Sequence, residues 1–169
     1  MERLSLFLLL VLLATQFSCK MAPVLAQEQE EANKLAIQEV MKAFYESTSL
    51  GDYDSALKQT SPNFSCVING ETMDYSKHEV FFKNSMEQTY KRFIRFSQYN
   101  IETPNLDISG DGNKAVAVVG YDWKGFDSEV LMDKSGHTKR LVRLTKENGA
   151  WKITCIGPVT PKPQQLFQP

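Results

Sequence analysis

The chain has 169 residues, 42% of them hydrophobic and 23% charged, with a formal net charge of -1. That length supports one domain with a proper core. The near-neutral balance carries no electrostatic footprint for nucleic acid and no attraction to an anionic membrane surface.

The chain opens on a targeting pattern. Arg3 precedes an apolar run from Leu4 to Ala14, too short to span a bilayer comfortably and matched to the core of an export signal. Two exits are open. Val24-Leu25-Ala26 puts compact residues where a signal peptidase reads, giving a signal over 1–26 and a mature chain from Gln27. Ser18-Cys19-Lys20 instead resembles a loose lipoprotein box, giving a signal over 1–18 and a lipidated Cys19. Both predict export, periplasmic or secreted in the first case, and held at a membrane only by a lipid anchor in the second. Cys66 and Cys155 remain as an even pair in an oxidising compartment. They are read either as a disulfide or as two small buried thiols.

Residues 28–50 predict a helix. Ile37, Val40, Met41, Phe44 and Thr48 recur at helical spacing and form one apolar stripe. Gly51 is placed as a terminating glycine, and Asp52 suits the N-cap of a short second helix through Gln59. Phe64, Cys66 and Ile68 alternate with Ser65, Val67 and Asn69, a strand signal. Asn69-Gly70 is a hairpin-turn pair, and Glu71–Asp74 is the return strand. Ser76 and Glu79 read as a capping box for a helix to about Tyr90, with Phe82, Met86 and Tyr90 on one face.

The remainder is β-rich. A strand region runs from about Phe93 to Ile108, interrupted near Pro104, and Gly110–Asn113 is a turn. The apolar strand Ala115–Trp123 is expected to continue to Met132, with a turn at Asp133–Gly136. His137–Lys146 returns, and Asn148-Gly149 leads into Trp151–Gly157. The tail over 159–169 is Pro-rich and reads as extended. Helices come early and tightly linked strands late, which predicts an α+β domain over 27–158 with an antiparallel sheet.

Three segments in order resemble the nuclear transport factor 2-like superfamily, which includes SnoaL-like and ketosteroid-isomerase-like proteins. They are LGDYDSALKQTSPNF, the Asn69-Gly70 hairpin with its following helix, and LVRLTKENGAWKIT. The resemblance implies a cone-shaped roll with a cystatin-like arrangement, in which the N-terminal helices pack on a strongly curved antiparallel sheet around a pocket. It also implies a homodimer through the outer face of the sheet.

Isomerases of this superfamily place a carboxylate near the end of the first strand, and Phe64–Asn69 contains none. Asp74 and Asp122 are the alternative acids for a lyase or isomerase. Dehydratases of this fold use a His–Asp pair inside the cone. His78 and His137 both adjoin cap or turn signals and are expected to be solvated. With two histidines and no HxxxH or CxxC spacing, no metal site and no cofactor are expected, and no catalytic residue is assigned. Tyrosines and tryptophans combine an apolar body with a polar tip and suit a pocket wall. Phe44, Tyr53, Tyr121 and Trp123 are the candidate ligand-pocket residues, with Tyr53 nearest the mouth. Arg95, Arg140 and Arg143 are expected on the outer sheet face. The reading is an exported, non-catalytic domain that binds a small apolar or amphipathic ligand or a protein partner. A dimeric scaffolding module is the further alternative.

Overall fold

The computed structural model describes residues 27–68 and 70–159. The segment expected to be an export signal, with both its exits and Cys19, lies outside them, as do Asn69 and the tail from 160 onward. The chain divides into two compact units, Met1–Leu35 and Ala36–Pro169. The described part of the first unit is the opening of helix α1 (27–49), where Lys34 pairs with Glu30 at 2.8 Å and Glu31 at 2.9 Å.

In the second unit, α1 continues with Ile37, Met41, Phe44 and Thr48 buried on one side, the stripe expected from their spacing. Its end is a Schellman closure. The Asp52 N–H donates to the Ser47 carbonyl at 2.9 Å and the Gly51 N–H to the Thr48 carbonyl at 3.0 Å, with Gly51 at φ 72°. Asp52 then caps helix α2 (Tyr53–Leu57), accepting from the Ser55 N–H at 3.0 Å. One helix ends and another begins here because a left-handed glycine and an N-cap aspartate are adjacent in sequence.

Strands β1 (Ser65–Ile68) and β2 (Glu71–Asp74) form the expected hairpin. Helix α3 (Tyr75–Arg92) follows. Its cap differs from the expected box: Asp74, not Ser76, accepts the Lys77 N–H at 3.0 Å, and the Ser76 hydroxyl also donates to Asp74. A carboxylate already at the end of β2 captures the first turn before the serine can.

Four antiparallel strands complete the unit in the order β3 (Phe93–Ile108), β4 (Lys114–Asp127), β5 (Met132–Glu147) and β6 (Ala150–Pro158). The last hairpin turns on Asn148 and Gly149, both left-handed at φ 50° and 82°. The β4–β5 turn is not where the Asp133–Gly136 cluster suggests. It lies at 128–131, so Asp127 pairs with Met132 and Trp123 with Gly136. Gly136 serves packing instead: a Cβ there would meet the Trp123 indole at 2.9 Å.

The register of β4 against β5 gives the sheet an inner face. Ala115, Ala117, Val119 and Tyr121 pair across with Leu144, Val142, Arg140 and Thr138. The apolar members pack with Ile37, Met41, Phe44 and Tyr45 of α1 in one buried cluster. A disulfide joins Cys66 of β1 to Cys155 of β6, with Cα atoms 4.8 Å apart.

Candidate functional site

The inner face is lined by a continuous run of aromatic rings. Tyr121 lies 4.6 Å from Tyr45 between centroids, Tyr45 5.2 Å from Phe44, and Phe44 5.4 Å from Phe82. Tyr53 touches both Phe82 and Tyr90. Tyr90 continues through Phe96 to Trp123. The four candidate residues Phe44, Tyr53, Tyr121 and Trp123 therefore fall on one aromatic wall. They are not equivalent. Phe44 and Tyr121 are buried among its rings, whereas Tyr53 and Trp123 are half-buried towards its ends.

Two polar tips in this wall reach no hydrogen-bond partner among the described residues: the Tyr45 hydroxyl and His78 Nε2. Tyr45 is 4% exposed, and its burial pushes its pKa well above the usual tyrosine range. His78 corrects the expectation of a solvated histidine. It is 5% exposed, stacked 4.0 Å from Phe64 and 5.9 Å from Phe82. Burial lowers its pKa to about 4, so it is neutral at neutral pH. A signal for this was present: His78 precedes Phe82, Met86 and Tyr90 at four-residue steps and belongs to their face.

Arg140 is the second correction. It pairs with Val119 and so shares the register of the inner face, where its side chain stays exposed, and its charge opposes the rise in the Tyr45 pKa. Its parity with Val142 and Leu144 was the available signal. Arg143, opposite Val116, is on the outer face as expected.

The carboxylates considered as bases are placed otherwise. Asp74 is the exposed α3 cap, its pKa lowered chiefly by the Lys77 N–H and also by Ser76. Asp122 lies on the outer face of β4. Its Oδ1 is 2.9 Å from His137 Nδ1 and its Oδ2 accepts from Asn100 Nδ2 at 2.9 Å. Those contacts, His137 first, hold its pKa below the usual carboxylate value. A general base working near neutral pH needs its pKa raised, and both of these acids are shifted down. The Asp122–His137 pair was hidden by the misplaced β4–β5 turn. Counting outward from 128–131 puts the two residues opposite each other.

Comparison with known proteins bears on the fold alone. No family model matches the sequence, and no curated protein matches it. Solved structures do. A nuclear transport factor 2-like superfamily protein from Salmonella enterica has a TM-score of 0.59 at 18% identity, over 82% of this chain and 99% of that one. A proposed scytalone dehydratase from Novosphingobium aromaticivorans gives 0.61 at 12% identity, over 77% and 85%. A protein of unknown function with a cystatin-like fold from Nostoc punctiforme gives 0.53 at 19%, over 76% and 92%. The chain therefore has the nuclear transport factor 2-like, cystatin-like α+β fold. At these identities the neighbours carry no activity across to it.

Proposed function

We propose that this chain is an exported domain that holds a small apolar or amphipathic molecule against its aromatic wall and does not turn it over. The observation that carries the reading is the pair of unpartnered polar tips, Tyr45 Oη and His78 Nε2, buried in an otherwise apolar surface. A buried polar group without a partner costs roughly 1–3 kcal/mol, which a ligand offering a donor or acceptor offsets. Arg140, on the same face, favours a molecule with an electron-rich end. Export is supported by the N-terminal apolar run and by the Cys66–Cys155 disulfide, which needs an oxidising compartment. Against turnover stand the acid-free β1 strand and the lowered pKa values of Asp74 and Asp122.

The test is native mass spectrometry of the mature chain purified from the cells that export it. A co-purifying small molecule that is lost in Tyr45→Phe supports the reading. An empty chain, or steady turnover of a ketone or hydroxy-acid panel abolished by Tyr45→Phe, defeats it. The same spectrum reads the oligomeric state. Among the described residues, the large exposed apolar side chains lie outside 115–123 and 137–146, so a homodimer through the sheet face would rest on polar contacts there.

A further inference from the structure

The opposite face of the sheet carries a concavity. A cavity of about 590 Å³ lies over the far ends of β3, β4 and β5, a size common for small-molecule sites. Lys124 and Phe126 come from β4, Ser135 and Asp133 stand directly across from them on β5, and Arg95 and Tyr99 come from β3. Lys124 and Phe126 alternate with Trp123, so this groove backs onto the aromatic wall without being part of it.

The local backbone is shaped to present these groups. The register of β3 against β4 shifts between Ile94 and Ser97, and again between Tyr99 and Glu102. Each shift contains one non-glycine residue in the left-handed region, Arg95 at φ 56° and Asn100 at φ 51°. Such residues are strained and persist where surrounding structure holds them. The first bulge delivers the Arg95 side chain to the groove. The second places Asn100 on Asp122, the register partner of Tyr99. With His137 on its other oxygen, Asp122 has both oxygens occupied, which mutes the negative charge at the groove's edge.

The charges left over are positive. Arg95 has no carboxylate partner among the described residues. The Lys124 ammonium lies over the Tyr99 ring, 5.3 Å from its centroid, and has no acid partner among the described residues. Lys134 is already engaged by Asp127 at 3.3 Å, and Asp133 is the one acid among the lining side chains. We propose that this groove binds a small organic anion with a planar apolar body. Arg95 and Lys124 take the anionic head, Tyr99 and Phe126 flank the body, and the Ser135 hydroxyl donates to the head.

The experiment is calorimetric titration of the disulfide-intact chain with 2-naphthoate and with 2-naphthyl phosphate, using neutral 2-naphthol as the control. Saturable binding of either anion is expected, at least about tenfold tighter than the neutral control and weakened about tenfold by Arg95→Gly or Lys124→Ala. Arg95→Gly suits the left-handed backbone and guards against misfolding as the cause. Whichever anion binds tighter names the head group. Tyr45→Phe is expected to leave this binding unchanged, which separates it from the aromatic-wall reading. Absence of saturation with both anions overturns the proposal. So does equal affinity in both groove variants, loss of binding in Tyr45→Phe, or a dimer that dissociates with Arg95→Gly, which would make a second copy the occupant.

Discussion

The Trp123 indole on β4 lies directly over Gly136 on β5, close enough that a Cβ on the glycine would stand 2.9 Å from three ring atoms. The ring is wedged between Gly136 and Phe93, whose centroid is 5.6 Å away. Gly136→Ala must therefore push the indole aside or move the strand. A loss of about 1–3 kcal/mol is expected, the usual cost of overpacking. Urea unfolding followed by tryptophan emission measures it, and the penalty should shrink when Trp123 is also changed to Leu. An alanine variant as stable as the parent would refute the wedge.

His78 makes stability depend on pH in a window that starts near neutrality. Its folded pKa is about 4, below the ordinary 6.5. Between these values the unfolded chain binds a proton that the folded chain refuses, so stability falls as pH drops from about 6.5 to about 4. The loss is on the order of 3 kcal/mol. His78→Phe, which keeps the stacking on Phe64, should flatten this limb of a urea-midpoint profile. An unchanged slope would remove His78 as its source.

Asp127 governs a second, more acidic window. It is fully buried, with Arg92 nitrogens 2.8 and 3.2 Å from its Oδ2. Arg92 above all holds its pKa at about 2, below the ordinary 3.8. A depressed carboxylate stabilises the fold above its unfolded pKa, and that contribution is lost as pH falls from about 3.8 towards 2. Asp127→Asn should be less stable at pH 7 and should lack the most acidic limb. The His78 limb should persist in it, since the two groups are on different elements.

The Cys66–Cys155 bridge closes a loop spanning 89 residues of sequence separation. Loop-closure entropy assigns such a bridge roughly 4.6 kcal/mol, acting on the unfolded chain. Urea unfolding with and without reductant should show that difference, and the Cys66→Ala, Cys155→Ala double variant should match the reduced protein. Insensitivity to reductant would mean the thiols are free in solution.

Much of the fold was legible because it is written in local chemistry. The buried stripe of α1, the glycine and aspartate at 51 and 52, and the left-handed Asn148-Gly149 turn each depend on neighbours a few residues away. Where local signals competed, the sequence misled. Asp133–Gly136 has the composition of a turn, yet the chain turns five residues earlier and uses Gly136 to seat an indole from another strand. That single displacement changes which residues oppose each other, and with it hid the Asp122–His137 pair.

What the sequence determined by itself is the order of elements, the α+β class and the aromatic residues available for a wall. Their periods and caps are properties of short stretches of chain. Only the tertiary structure decided which polar groups lose water. His78 shares the spacing of Phe82, Met86 and Tyr90, but it is Phe64, fourteen residues earlier, that covers it. Asp122 reads as a free acid until two strands bring His137 and Asn100 to its oxygens. Desolvation and charge pairing are set by contacts distant in sequence, and both the candidate wall and the cationic groove depend on them.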